Sequence, residues 1–173
     1  LYLSRLEQDQ QKFTPETILA DNFFHALLDQ IRPLAEQKSI KLESHIPPNL
    51  PLQGQLDLLI RLFLNLLDNA IKYTPPGGRV GLRAQQEANQ ITISLHNDGP
   101  PIAHEHLTRL FDRFYRAEAD RSRAAGNEVS GGGLGLAIAQ EIAKIHQGEI
   151  TVQSSQAAGT TFTVTLPATP HHS

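Results

Sequence analysis

Residues 65–78 read NLLDNAIKYTPPGG, and the helix that they close decides the fold. From about Gly54 the chain runs without a helix breaker to Tyr73, then meets Thr74, Pro75, Pro76, Gly77 and Gly78, which offer turn chemistry and no continuing helix. Wound at about 100° per residue, Arg61, Asn65, Asp68, Asn69 and Lys72 fall within one window about 100° wide. Leu59, Ile60, Leu62, Phe63, Leu64, Leu66, Leu67, Ala70 and Ile71 surround that window, so the spacing predicts a helix buried except along one polar stripe. The stripe has two readings, a solvated face or a ligand-holding one. Two asparagines in a helix interior speak for the second, since Asn is a poor helix former and solvated faces favour Glu and Lys. A carboxamide oxygen can ligate a hard cation such as Mg²⁺ without bringing charge, and Lys72 can meet a phosphate.

Outward from this helix the pattern is mixed. On its N-terminal side, residues 1–11 read as the last turns of a helix whose Leu1, Leu3 and Leu6 packed on something upstream, and a polar, proline-containing stretch follows. Helical spacing of Phe24, Leu27, Leu28, Ile31 and Leu34 predicts a helix from about Asp21 to Gln37, kinked or loosened at Pro33. Ile40, Leu42 and Ile46 alternate as in a strand that the Pro47 segment ends. On the C-terminal side, Val80, Leu82, Ala84 and Ile91, Ile93, Leu95 make a hairpin turning at Glu87 to Gln90, and Asn97 continues the apolar parity of its strand. A polar group there needs a partner, either as the start of a turn or as a ligand contact.

A short helical cluster carries Leu107, Leu110, Phe111 and Phe114, and the polar stretch from Ala117 to Ser130 has the composition of a mobile connection. Residues 131–137, GGGLGLA, open a helix through Ile138, Ile142 and Ile145 that stops at Gly148 as a left-handed cap. Backbone amides at such a helix start can meet phosphate oxygens. The run lacks the GK[ST] of a Walker loop and follows no clear strand, as a dinucleotide fingerprint must. Strands at 149–154 and 160–166, joined through Ala157, Ala158 and Gly159, complete an α+β inventory.

Taken together, NLLDNAIKYTPPGG resembles the asparagine box of histidine kinases and of the ATPase superfamily that they share with gyrase and mismatch-repair proteins. The resemblance implies a two-layer α/β sandwich of the Bergerat type, with a mixed, mostly antiparallel sheet covered on one face by helices and a mobile ATP lid. It implies ATP and Mg²⁺ as cofactors, with Asn69 on the metal, Asn65 supporting the phosphate and metal site, and Lys72 and Tyr73 on the phosphates and the sugar or base side. Gyrase-type hydrolases place a water-activating Glu where Asn65 stands, and Asn cannot act as a general base. QITISLHNDGPPI, residues 90–102, is similar to the first glycine box, DxGxG, whose Asp accepts from the adenine amine. Here Asn97 stands for that Asp and Pro101 for the second Gly, with Asp98 one position out of register; Gly99 and Ile102 lie beside it. A neutral acceptor is weaker than a carboxylate by about 1 kcal/mol, which predicts modest ATP affinity.

GGGLGLA resembles the GxGxGL box, so that Gly131, Gly132, Gly133, Leu134, Gly135 and Leu136 flank the phosphates and hinge the lid. Leu110, Phe111 and Phe114 fit the family's phenylalanine box, and Gly159, Thr160 and Thr161 its closing GT box, with Thr161 the nucleotide contact. Arg116 and Arg121, with Arg123 as an addition, stand where lid arginines approach the terminal phosphate, or else are solvated loop charges. Residues 97–117 and 133–148 look most like kinases that sense heavy metals such as copper or silver.

Composition bounds the alternatives. A chain of 173 residues, 39% hydrophobic and 19% charged, holds one main domain with no run that spans a bilayer. Net charge −3 gives no pull toward nucleic acid, and the absence of Cys excludes thiolate metal sites and cysteine nucleophiles. His104 and His106 are two apart and share no helix face, and no GxSxG occurs. Neither His25 nor His45 has the context of a phosphoacceptor. The expectation is a catalytic domain over residues 12–168, after the end of a dimerisation helix at 1–11 and before a disordered tail at 169–173. It donates the γ-phosphate of Mg·ATP to a histidine on its own upstream dimerisation domain, for a response regulator. The whole protein is then a membrane-anchored homodimer with this portion in the cytoplasm. A non-catalytic regulatory nucleotide module, suggested by Asn97 and Pro101, and a conformational ATPase, opposed by Asn65, are the alternatives.

Overall fold

Strict alternation lays down the sheet. β4 (Arg79–Glu87) buries Val80, Leu82 and Ala84, and β5 (Gln90–Asn97) buries Ile91, Ile93, Leu95 and Asn97. β7 (Gly159–Pro167) adds Thr160, Phe162, Val164 and Leu166 to the same face. The opposite parity is exposed or half-buried and polar, as at Arg83, Thr92, Ser94 and Thr163, so one face is packed and the other wet. These coordinates are a computed structural model, which describes residue 4 and residues 12–115 and 134–169. The expectations for Leu1, Leu3 and Leu6, for Arg116, Arg121 and Arg123, for the stretch 117–130 and Gly131, Gly132 and Gly133, and for the tail past residue 169 lie outside the described residues.

With β2 (Lys41–His45) and β6 (Glu149–Ser155), the strand order is β2-β4-β5-β7-β6. β2 runs parallel to β4 and every other pairing is antiparallel. α1 (Ala20–Gln37), α2 (Leu56–Tyr73) and α4 (Gly135–Ile145) cover the packed face, giving the mixed α+β sandwich that the sequence pattern implies. α1 meets α2 through the edge-to-face rings of Phe24 and Phe63, 4.8 Å apart, a geometry that contributes about 0.5–1.5 kcal/mol beyond the area it buries.

Several boundaries differ from expectation, each for a local reason. β1 (Glu16–Leu19) and β3 (Pro51–Gly54) form an antiparallel pair where a coil and a proline stop were expected. Leu50, Leu52 and Gly54 alternate into the core, and Pro51 sits at the strand start, where its missing N–H is least costly. α2 accordingly begins at Leu56 and not at Gly54, whose added Cβ would lie 2.6 Å from Leu59 Cδ1. α1 continues through Pro33 because Asp29 and Pro33 lie on the exposed side, where water can take the freed carbonyl, while Ile31 and Ala35 anchor the buried side. Leu34, expected in the core, sits at the rim of the stripe and is exposed. The hairpin tightens to Ala88 and Asn89, with Ala88 left-handed.

At the C-terminus of α4 the left-handed residue is Gln147, not Gly148. Gln147 N–H donates to the Lys144 carbonyl and Gly148 N–H to the Ala143 carbonyl, the paired bonds of a Schellman cap. Gly148 is needed for space: a Cβ there would lie 2.2 Å from the Thr165 carbonyl oxygen.

Candidate functional site

Past its first turn, the polar stripe of α2 carries the helix's exposed residues. Arg61, Asp68 and Lys72 are exposed and Asn65 and Asn69 half-buried, between fully buried Leu62, Leu66 and Leu67. Its C-terminus is held firmly. Thr74, wholly buried, donates both its backbone N–H and its hydroxyl to the Ala70 carbonyl, and Lys38 Nζ donates to the Ile71 and Lys72 carbonyls at 2.8 and 3.1 Å. A lysine on the last carbonyls offsets the negative end of the helix dipole. Lys72 is thereby presented to solvent, its ammonium 5.7 Å from the centroid of the Tyr73 ring.

Two other elements converge on this stripe. Asn65 Nδ2 donates to the Gly135 carbonyl at 3.1 Å, which joins the start of α4 to the middle of α2. Gly99, two residues past Asn97, lies so close to the C-terminus of α2 that an added Cβ would sit 2.9 Å from the Tyr73 carbonyl oxygen. Asn97 is 4% exposed on the helix-facing side of β5, and its Nδ2 donates to the Asp98 carbonyl, leaving the carboxamide oxygen as the arm outside that bond. Ile102 N–H donates to Ser154 Oγ, which bonds Thr160 Oγ1 at 2.8 Å, and Thr160 is the register partner of Asn97.

Asp98 is turned to other work. Its carboxylate accepts from Arg79 N–H at 3.1 Å, lies 3.5 Å from Arg79 Nε, and meets His96 Nε2 at 3.4 Å. His96 Nδ1 in turn bonds Thr161 Oγ1 at 3.1 Å. Thr161, expected at the nucleotide, therefore lies on the outer face of the sheet, away from Asn97. Thr160, in the same GT box, is the hydroxyl on the Asn97 side of the sheet, as the parity of Phe162, Val164 and Leu166 marks it.

The helical expectation around residues 107–114 also needs correction. α3 (His104–Leu107) is one turn, followed by tight turns. Leu110 and Phe111 pack on the core, Phe111 edge-on to Phe162 at 6.3 Å. Phe114 does not join them: it is left-handed and 70% exposed. Tyr115 hydrogen-bonds His106 and lies under the Arg109 guanidinium, 4.4 Å away. Leu134 and Leu136 are half-buried against the core on either side of Gly135.

Comparison with known proteins identifies the ensemble. The model of the histidine kinase-, DNA gyrase B- and HSP90-like ATPase family matches residues 54–170, from the end of β3 through the last strand. The chain belongs to this ATPase family. Among curated relatives, the sensor histidine kinase CusS of Escherichia coli K12 is 39% identical over 142 residues, 82% of this chain and 28% of CusS. The sensor-like histidine kinase SenX3 of Mycobacterium tuberculosis is 35% identical over 166 residues, 96% of this chain and 40% of SenX3. The chain thus spans well under half of either relative. Of solved structures, the mycobacterial sensor histidine kinase MprB aligns with TM-score 0.75 at 29% identity, over 91% of this chain and all of that one. The catalytic domain of histidine kinase ThkA, at 21% identity and TM-score 0.77 over 92% of this chain and 99% of its own, shares the fold. Within this ATPase domain no described helix is long and apolar enough to cross a membrane.

Proposed function

We propose that this chain binds Mg·ATP between α2, the start of α4 and the end of β5, and donates the γ-phosphate to a histidine of an upstream dimerisation domain. One observation carries the choice of donor over hydrolase. Asn65 occupies the middle of the stripe as a carboxamide whose nitrogen is bonded to the Gly135 carbonyl. An amide takes no proton from water, so the site holds a phosphoryl group for another nucleophile. The residues fit the cofactors: neutral oxygens for a hard cation, a solvent-facing ammonium and a buried acceptor.

Bound ATP supplies the activated phosphoryl group, and Mg²⁺ neutralises charge between its phosphates. The remaining roles belong to the chain. Asn97 accepts from the adenine amine through its oxygen, with Gly99 and Ile102 beside the base and Tyr73 on the sugar or base side. Asn69 holds the metal, Lys72 the phosphates, and the amides of 131–136 the phosphate oxygens. Arg116 and Arg121 act on the terminal phosphate as its bond to the leaving oxygen breaks and the bond to the imidazole nitrogen forms. The phosphohistidine then serves a response regulator. The histidine-bearing helices precede residue 12 in this reading, and the domain works at the cytoplasmic side of a membrane-anchored homodimer.

Calorimetry with ATP and Mg²⁺, run beside a free-phosphate assay, tests the reading. Binding with negligible phosphate release is expected. Rapid multiple-turnover phosphate release by this chain alone would instead make it a conformational ATPase.

A further inference from the structure

At the end of α2 away from Asn69, one imidazole joins three separate pieces of chain. His146 follows α4 and is 5% exposed. Its Nδ1 donates to the Ile142 carbonyl at 2.8 Å, so in the neutral ring Nε2 carries no proton and accepts from the Gln55 backbone N–H at 3.0 Å. Gln55 is the residue capping the start of α2. The Phe13 ring meets the imidazole edge-on with centroids 4.9 Å apart, and Gln55 Oε1 accepts from Thr14 N–H at 3.4 Å. Gly54 makes room, since a Cβ there would lie 2.8 Å from His146 Cδ2. Beside this contact an open groove of about 550 Å³ is bordered by Thr14, Pro15, Glu16, Gln55, Leu56 and Asp57.

We propose that His146 is a positioning residue that fastens the segment entering the domain, through Phe13 and Gln55, onto the two helices that carry Asn65, Asn69 and Gly135. Protonation would set a second ring N–H against the Gln55 N–H, donor against donor, so the fastening requires the neutral ring. Burial lowers the His146 pKa, against smaller raising contributions from the Ile142 carbonyl and the Asp57 carboxylate. The residues that meet the ring from β3, α4 and the entering segment, namely Gly54, Ile142 and Phe13, bear no ionisable group. Asp57, in the first turn of α2, is the charge that faces it. Any effect on phosphoryl transfer rests on the function proposed above, whereas the fastening itself does not.

Histidine-ring and amide NMR on the nucleotide-free chain, between about pH 8 and about pH 5, tests it. At neutral pH the His146 ring is expected as the Nδ1–H tautomer with nuclear Overhauser contacts to Phe13. As pH falls, the Gln55 and Thr14 amides should shift with the His146 titration, and Gln55 exchange should quicken about fivefold, the value of one lost hydrogen bond. His146→Gln, whose side-chain oxygen can take the place of Nε2, should retain the neutral-pH state and abolish its pH dependence. Phe13→Ala, outside the core, should raise the His146 titration midpoint toward the ordinary 6.5. Gln55 and Thr14 amides indifferent to the His146 titration, or a His146→Gln chain that keeps the pH dependence, would overturn the proposal. Coupled titration in a chain that fails to bind ATP would contradict the proposed function and leave the His146 role intact.

Discussion

Asn97 and Asp98 are consecutive residues whose side chains serve opposite faces of the sheet. Asn97 is buried on the helix side, while Asp98 is committed to Arg79 and His96 on the outer side. The neighbouring carboxylate therefore cannot replace the neutral acceptor without breaking that network. Asn97→Asp is expected to tighten ATP binding about fivefold, roughly 1 kcal/mol, while destabilising the nucleotide-free chain by burying a charge. Asp98→Ala should leave ATP affinity within about twofold, because exposed pairs of this kind contribute at most about 1 kcal/mol and lie off the site. Calorimetry on the three chains decides; affinity lost in Asp98→Ala and unchanged in Asn97→Asp would reverse the assignment.

Asn69, the metal-holding residue of the proposed function, lies half-buried on the stripe, one turn past Asn65. Asn69→Ala should abolish the difference between ATP affinity with Mg²⁺ and with a chelator, while circular dichroism stays unchanged. Retention of the full Mg²⁺ effect would remove Asn69 from the metal site.

Gly148 tests the packing of α4 on the sheet. An added methyl would sit 2.2 Å from the Thr165 carbonyl oxygen, backbone that cannot simply rotate away. Gly148→Ala is expected to cost about 3 kcal/mol and lower Tm by roughly 10 °C. Gly81→Ala, with open space around its Cβ, serves as the control on the same sheet.

His146 sets a pH dependence of stability. Its folded pKa lies below 6.5, so below that value the unfolded chain binds the extra proton first. Its contribution is fully present above pH 6.5 and is lost as pH falls through the folded pKa. Urea unfolding at a series of pH values should give a stability that drops below about pH 6.5, and His146→Gln should lose that component of the drop.

Much of this was legible from period alone. The alternation of Ile91, Ile93 and Leu95 and the apolar belt around Asn65 and Asn69 depend only on which face each residue must bury, and burial dictates both. What stayed hidden was decided by contacts distant in sequence. β1 and β3 are four residues each and become strands by pairing with one another, which no local pattern announces. Gln147 takes the left-handed position of the cap, while Gly148 must stay glycine because of Thr165, a constraint from another element. Phe114 has the composition of a core residue and a backbone conformation that turns it outward. No sequence pattern singles out His146, because its partner Gln55 lies 91 positions away. Parity puts Thr160 and not Thr161 on the side of Asn97, whereas the contact of Asp98 with Arg79, 19 positions away, follows from no local pattern.

The most direct test of the central claim is transfer itself. The chain is mixed with [γ-³²P]ATP, Mg²⁺ and separately produced dimerisation helices of the kind that the proposed function requires, and label is followed for acid lability. Label on a histidine of those helices, stable to base, released by acid and absent with Asn69→Ala, is the predicted result. ATP bound by calorimetry with no acid-labile label on any histidine would contradict the account and make the domain a nucleotide-binding regulatory module.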